Sequence, residues 1–89
     1  MTNECRVAIH CRKMDMNSDT RTMLLNVWCI LVRTKCPTLR VALFTPTKAA
    51  LKTVEQVIKV HELFVLPQDD IHKAIEIFDP HITFTHSIQ

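Results

Sequence analysis

Glycine is absent from this 89-residue chain, although ordinary usage of about 7% would supply roughly six. A Gly-rich phosphate loop therefore cannot exist here, which excludes proteins that depend on the P-loop or dinucleotide fingerprints. Tyrosine is also absent, and tryptophan occurs once. The longest apolar run, from Met23 to Val32 with Asn26 inside it, is about half of what a membrane-spanning helix needs.

CxxC pairs are also missing, although the chain has four cysteines: Cys5, Cys11, Cys29 and Cys36. All four lie in otherwise apolar runs, and the opening MTNECR lacks the pattern of a targeting peptide. We therefore expect reduced, buried thiols in a cytoplasmic protein rather than disulfides.

Charge is divided unevenly along the chain. Residues 1–52 carry nine Lys or Arg against three acids, whereas residues 53–89 carry two against six. Either two solvated surfaces of opposite sign result, or a partner of complementary charge binds one of them.

A strand followed by a helix is predicted for the first third of the chain. Apolar and polar residues alternate over residues 5–12, which is typical of a strand. Residues 13–17 break the alternation, and Ser18 or Asp19 is placed to cap the next element. For residues 20–34 we expect a helix packed on a sheet, although the β-branched segment NVWCILV also permits a strand. Pro37 ends this element.

The remainder continues the alternation of strands and helices. Residues 39–45, LRVALFT, predict a strand buried on both faces and ended by Pro46. Thr47 is then placed to cap an amphipathic helix over residues 48–62. A short strand at 63–66, an acidic helix from Pro67 to Asp79-Pro80 and an alternating tail follow. The tail either adds a final strand or pairs with another chain.

This order predicts a single α/β domain over residues 1–89, with a small, mostly parallel sheet. In such sheets binding sites lie beyond the carboxyl ends of the strands. The turns at 13–19 and 45–47 occupy that edge, and they form one surface if their two strands are neighbours.

Three segments together resemble the STAS domain, the fold of bacterial anti-sigma factor antagonists. RVAIHCRKMDMNSDTRTMLLNVWCILV is similar to the family's core strand, its Asp-Ser-Ser-Gly turn and the following helix. LRVALFTPTKAALKTV and HELFVLPQDDIHKAIEIF resemble its later strands and helices, so that the likeness covers residues 6–78. The family's N-terminal strands and first helix have no counterpart, which leaves a gap that the tail at 80–89 could fill.

The resemblance assigns roles to the turn. With residues 23–25 aligned, Asn17 stands at the family's Asp, Ser18 at its first Ser, Asp19 at the phosphorylated position and Thr20 at its Gly. In the family, phosphorylation there adds about two negative charges at a helix N-terminus and abolishes docking of the kinase. Asp19 would supply one permanent charge; after a one-residue slip, Ser18 or Thr20 is the acceptor instead. The alternative is that these residues only cap the helix.

The resemblance implies a non-enzymatic regulatory module, without cofactor or metal, that docks a serine kinase or an anti-sigma factor. The expected docking residues are Asn17, Ser18, Asp19, Thr20, Arg21, Thr45, Thr47 and Lys48. Alternatives are an MlaB-like STAS subunit that binds a transporter ATPase, a scaffold that forms a homodimer through its C-terminal strand, and an accessory protein of unrelated fold.

Other chemistries have weaker support. The possible metal ligands have no spacing used in zinc sites; they are Cys5, His10, Cys11, His81 and His86. A Cys–His nucleophile needs an exposed thiol of low pKa, which apolar runs do not favour. Nucleic-acid binding lacks a motif and would draw on Arg12, Lys13, Arg21 and Lys35. A nucleotide phosphate at the turn would be repelled by Asp19.

Overall fold

The computed structural model describes residues 4–12 and 17–86. Its elements, in chain order, are β1 (Glu4–Cys11), α1 (Ser18–Arg33), β2 (Thr38–Thr45), α2 (Ala50–Glu55), β3 (Glu62–Val65), α3 (Gln68–Phe78) and β4 (Ile82–His86). The predicted order of strands and helices is confirmed, and the fold is a small α/β fold.

The four strands form one parallel sheet in the order β3-β2-β1-β4. Val7 of β1 lies opposite Val41 of β2 on one side and Ile82 of β4 on the other. The chain moves across the sheet in one direction through β2 and β3, then returns past β1 to β4. Right-handed crossovers therefore place α1 and α2 on one face and α3 on the other.

Alternate strand residues build a separate core on each face. On the α1 side, Val7, Ile9, Val41 and Leu43 pack against α1 and the α2 region. The helical contributors are Leu24, Val27, Leu31, Ala50, Val54 and Ile58. On the α3 side, Ala8, Ala42, Phe44 and Ile71 form the buried core. A sheet covered on both faces explains the nearly continuous apolar sequence of β2.

Helix α1 confirms the predicted helix and rules out the alternative strand for residues 22–34. Its N-cap is Asn17, whose Oδ1 accepts from the Thr20 N–H at 2.8 Å. The prediction that Ser18 or Asp19 is the N-cap is therefore wrong. Only part of the apolar surface of α1 faces the sheet. Four of its large apolar side chains are exposed: Leu25, Trp28, Ile30 and Val32.

Helix α2 is much shorter than predicted. It ends at Glu55, so that Val57, Ile58 and His61 belong to the connection to β3 rather than to a helix. Ala49 is its N-cap without a side-chain hydrogen bond, and the predicted capping role of Thr47 is wrong. Ile58 still reaches the core, because its N–H donates to the Val54 carbonyl at 2.9 Å and turns the chain back to the sheet.

The end of α3 shows how this chain manages without glycine. Asp79 takes the left-handed conformation, φ 54° and ψ 62°, that most helix ends give to glycine. The Arg6 Nε–H donates to the Asp79 carbonyl at 2.8 Å, which ties this turn to β1. The predicted stop at Asp79-Pro80 is confirmed.

The cysteines differ from expectation. Cys5 at the start of β1 forms a disulfide with Cys36, just before β2, across a Cα–Cα distance of 6.2 Å. Cys11 is free and buried as expected, whereas Cys29 is free and exposed on α1. The prediction of four reduced, buried thiols is therefore wrong for three of them.

The tail forms β4, which pairs with β1 of its own chain. It occupies the side of β1 away from β2 and completes the sheet. Within residues 4–12 and 17–86, none of the helices combines the length and apolar character that a membrane span requires.

Candidate functional site

The start of α1 presents two exposed side chains on a fixed frame. Ser18 and Asp19 are exposed, and Asn17 fixes the backbone beneath them. Thr20 points inward: it is fully buried and its Oγ1 lies 3.3 Å from Nε2 of His86 in β4. A partner can therefore reach Ser18 and Asp19 directly, while the Thr20 hydroxyl links the helix to the sheet. The first part of the predicted turn, residues 13–16, lies outside the described residues.

The second predicted turn is closed by Thr45. Its buried hydroxyl donates to the Thr47 carbonyl at 3.1 Å and accepts from the Thr47 N–H at 3.2 Å. Lys48 is exposed beyond it, and Arg21 is exposed on α1. Because β1 and β2 are adjacent and parallel, the start of α1 and the turn after β2 both lie at the carboxyl edge of the sheet. Thr20 and Thr45 support this edge from inside and present no surface to a partner.

A groove runs from the start of α1 along β4. Its apolar floor is made by Met23, Val27, Ile30 and Phe84, and its volume is about 450 Å³. The polar rim consists of Asp19, Thr22 and Asn26. The groove exists because β4 is the last strand of the sheet and α1 covers it only partly. An acidic side chain thus stands at the end of an apolar channel.

Sequence reasoning missed this groove and the exposed apolar face of α1. The signal was present, since residues 23–32 are apolar around nearly the whole helix. A helix that is apolar all round needs cover on more than one side, and a single sheet face supplies only one.

A polar cluster around the buried His10 lies at the carboxyl edge on the α3 side. His10 is 3% exposed, and the Gln68 amide nitrogen lies 3.2 Å from its Nε2. The His72 ring meets it edge to face at 5.6 Å between centroids. Burial, then the nearby His72, lowers the pKa of His10 below its usual 6.5. The surroundings of His10 therefore favour its neutral imidazole over the charged form.

Cys11 is not placed to act as a nucleophile with His10, and the structure does not bring the described residues of the considered metal set together. Burial raises the pKa of the Cys11 thiol to about 12, which keeps it protonated, and Cys11 faces α1 whereas His10 faces α3. The Nδ1 of His81 accepts from the Arg6 N–H, and Cys5 is in the disulfide. Among the residues that the structure describes, no three His, Cys, Asp or Glu side chains converge as metal ligands.

The described basic residues among those weighed for nucleic acid are spread over the surface rather than clustered. Arg21 lies in the first turn of α1 and Lys35 follows its last turn. A 16-residue helix separates such positions by about 20 Å. Arg12 is exposed at the end of β1, and Lys13 lies outside the described residues.

Comparisons of this chain with protein-family models, with curated proteins and with solved structures give no match. The case for a function therefore rests on the groove, on the exposed turn beside it and on the resemblance of the sequence segments.

Proposed function

We propose that this chain is a non-catalytic regulatory module of the anti-sigma factor antagonist type, which binds a protein partner through the start of α1 and the α1–β4 groove. The observation that carries this proposal is the position of Asp19, exposed in the first turn of a helix and on the rim of an apolar groove. An apolar groove supplies affinity by burial, and a charge on its rim selects the partner.

The first turn of α1 is suited to regulation by charge. Free backbone N–H groups of a helix N-terminus favour a negative charge, so Asp19 is stabilised where it stands. A phosphoryl group on the exposed Ser18 would add about two further negative charges beside it. The partner is then a serine kinase or an anti-sigma factor whose docking surface responds to the charge at this turn.

The proposed location is the cytoplasm, where such partners act. Disulfides are uncommon in that compartment, so Cys5–Cys36 must persist against cellular thiols or cycle with them. Free-thiol labelling of protein extracted into acid would report its state directly.

The test compares baits that differ by one charge reversal. Wild type, Asp19→Lys and Glu55→Lys are used to capture proteins from native lysate, and each recovered protein is then purified and titrated against each bait. Glu55 is the matched control, because it is an exposed acid on α2 outside the groove. We expect Asp19→Lys to change the Kd of the partner about tenfold, in either direction, and Glu55→Lys to leave it unchanged.

An Asn26→Arg bait sharpens the assignment, because it alters the groove rim without changing the first turn. Equal affinity of all four baits for the same partner would reduce the turn to a helix cap and overturn the proposal. A transporter ATPase that binds regardless of the charge at position 19 would support the structural-subunit alternative instead.

A further inference from the structure

The two helical layers of this protein carry opposite charge. The α1–α2 layer, residues 17–37 and 46–61, exposes six basic residues: Arg21, Arg33, Lys35, Lys48, Lys52 and Lys59. Only Asp19 and Glu55 oppose them. The α3 layer, residues 66–81, exposes Asp69, Asp70, Glu76 and Asp79 against Lys73. Arg6 and Arg40 lie on the same side of the sheet, but both are paired with acids. The uneven charge of the sequence thus becomes one basic and one acidic face on opposite sides of the sheet.

The basic face contains a second apolar groove. It has a volume of about 470 Å³ and lies between the last turns of α1 and the segment that leads into β3. Trp28 and Val32 form one wall, Leu39 the floor and Ile58 the other wall, with Lys59 on the rim. Trp28 and Val32 are 46% and 61% exposed. This groove is separate from the α1–β4 groove, which lies on the other flank of α1.

The acidic face carries a matching projection. Ile77 is 78% exposed and stands next to Glu76 near the end of α3. Its side chain borders a shallow surface pocket that Arg40, Phe64 and Phe78 also line, and most of its own surface stays open to solvent. An apolar side chain beside an acid is complementary to an apolar groove with a lysine on its rim. Ile77 would fill the groove, and Glu76 would lie near Lys59.

We propose that copies of this chain associate head to tail, with the Ile77 region of α3 in one copy seated in the Trp28–Val32 groove of the next. We assign a second copy as the occupant of the groove because one chain carries both complementary surfaces. The groove and the Ile77 region are each apolar at the centre, and the faces that carry them have opposite charge. Groove and projection lie on opposite faces of the sheet, so a bound pair of copies still has one free groove and one free projection at its two ends. Such an interface adds copies in an open chain rather than closing as a dimer.

The test uses one variant of each partner surface. Val32→Asp places a charge in the groove, and Ile77→Asp removes the projection; both positions are exposed, so both variants are expected to fold. Leu25→Asp and Val65→Asp are matched controls, because these exposed apolar residues lie outside groove and projection. Sedimentation velocity is recorded from about 10 μM to about 1 mM, the range in which small interfaces associate. Non-reducing gels confirm that no species is cross-linked through the exposed Cys29.

We expect wild type and both controls to show mass that rises with concentration beyond a dimer and falls as salt is raised, and each test variant alone to remain monomeric. A mixture of Val32→Asp with Ile77→Asp should form a discrete one-to-one dimer, because it contains one intact groove and one intact projection. The emission of Trp28, the single tryptophan, should shift to shorter wavelength in that mixture and in associating wild type, but in neither test variant alone. A monomeric wild type throughout the series, association that survives either substitution, or a mixture that stays monomeric would each overturn the proposal.

Discussion

The two faces of the sheet are covered in different ways. On the α3 side, the rings of Phe44, Phe64 and Phe78 contact one another, and the closest pair has centroids 4.8 Å apart. The Arg40 guanidinium lies 5.1 Å above Phe78 and donates to both carboxylate oxygens of Glu62, at 2.7 and 2.8 Å. On the α1 side the core is aliphatic, and the helix that covers it turns large apolar side chains outward.

Apolar side chains on the α3 side are mostly buried in the fold, whereas many on the α1 side remain exposed. The helix α3 directs Ile71, Ala74, Ile75 and Phe78 to the sheet and leaves only Ile77 exposed among its large apolar side chains. The α1 side retains two grooves and an exposed apolar helix face, which folding alone does not require. We therefore expect substitutions in the buried core on the α3 side to act mainly on stability, and those on the exposed face of α1 or at the exposed Ile77 to act mainly on binding.

The largest expected effect is on the aromatic core. Phe44→Ala removes a buried ring that contacts two others and should lower the free energy of unfolding by about 3–5 kcal/mol. Trp28→Ala, an aromatic truncation on the exposed face of α1, should cost about 1 kcal/mol or less. Urea denaturation followed by circular dichroism measures both. Equal losses would remove the distinction between the two faces.

Removal of the disulfide, which lies on the α1 side, should give the next largest loss of unfolding free energy. Cys5–Cys36 closes a loop that contains the whole of α1. Removing the disulfide therefore raises the conformational entropy of the unfolded chain. The double variant Cys5→Ala/Cys36→Ala should lose about 2–4 kcal/mol of unfolding free energy. Reductant should destabilise wild type to a similar extent and leave the double variant unchanged. Cys29→Ala is the control, since that thiol is free and exposed; a reductant effect on the double variant would contradict the assignment.

A smaller effect is expected at the start of α1. Asn17→Ala removes the side chain that accepts from the Thr20 N–H and should cost about 1 kcal/mol. Ser18→Ala changes an exposed residue without that bond and should cost clearly less. Denaturation curves of the two variants decide which residue is the cap, and the reverse order would restore the prediction made from sequence.

Periodicity and proline positions were sufficient to predict the order of elements. Three elements were predictable because their pattern of apolar and polar residues is local and does not depend on distant contacts. They are the alternating strand at residues 5–12, the strand before Pro46 that is buried on both faces, and the sheet-facing apolar residues of α3. The length of α2 did not follow from its amphipathic pattern, because Ile58 is buried from a turn rather than from a helix. A turn can present the same side chains to a core as one more helical turn.

The candidate site was only partly predictable. Exposed Ser18 and Asp19 follow from the polar junction between strand and helix, but the burial of Thr20 depends on His86, which is 66 residues away in sequence. The disulfide is equally non-local, since it joins positions 31 residues apart that become close only when β1 and β2 pair. The α1–β4 groove depends on which strand lies at the edge of the sheet, and the order of elements in the sequence alone does not reveal that.

His10 links the stability of the α3 side to pH. His10 has a folded-state pKa below its usual 6.5, so the unfolded chain binds a proton that the folded protein does not. Stability from this residue is complete above about pH 7 and is lost progressively as pH falls below the unfolded pKa. His10→Gln cannot titrate and should make the unfolding free energy less dependent on pH between about 7 and 5. His72→Gln removes the charge that, after burial, lowers the pKa of His10. It should also make the unfolding free energy less dependent on pH, but by a smaller amount. If the His10→Gln curve parallels wild type, the buried imidazole takes up its proton without cost, and the α3 side is more open to water than its packing indicates.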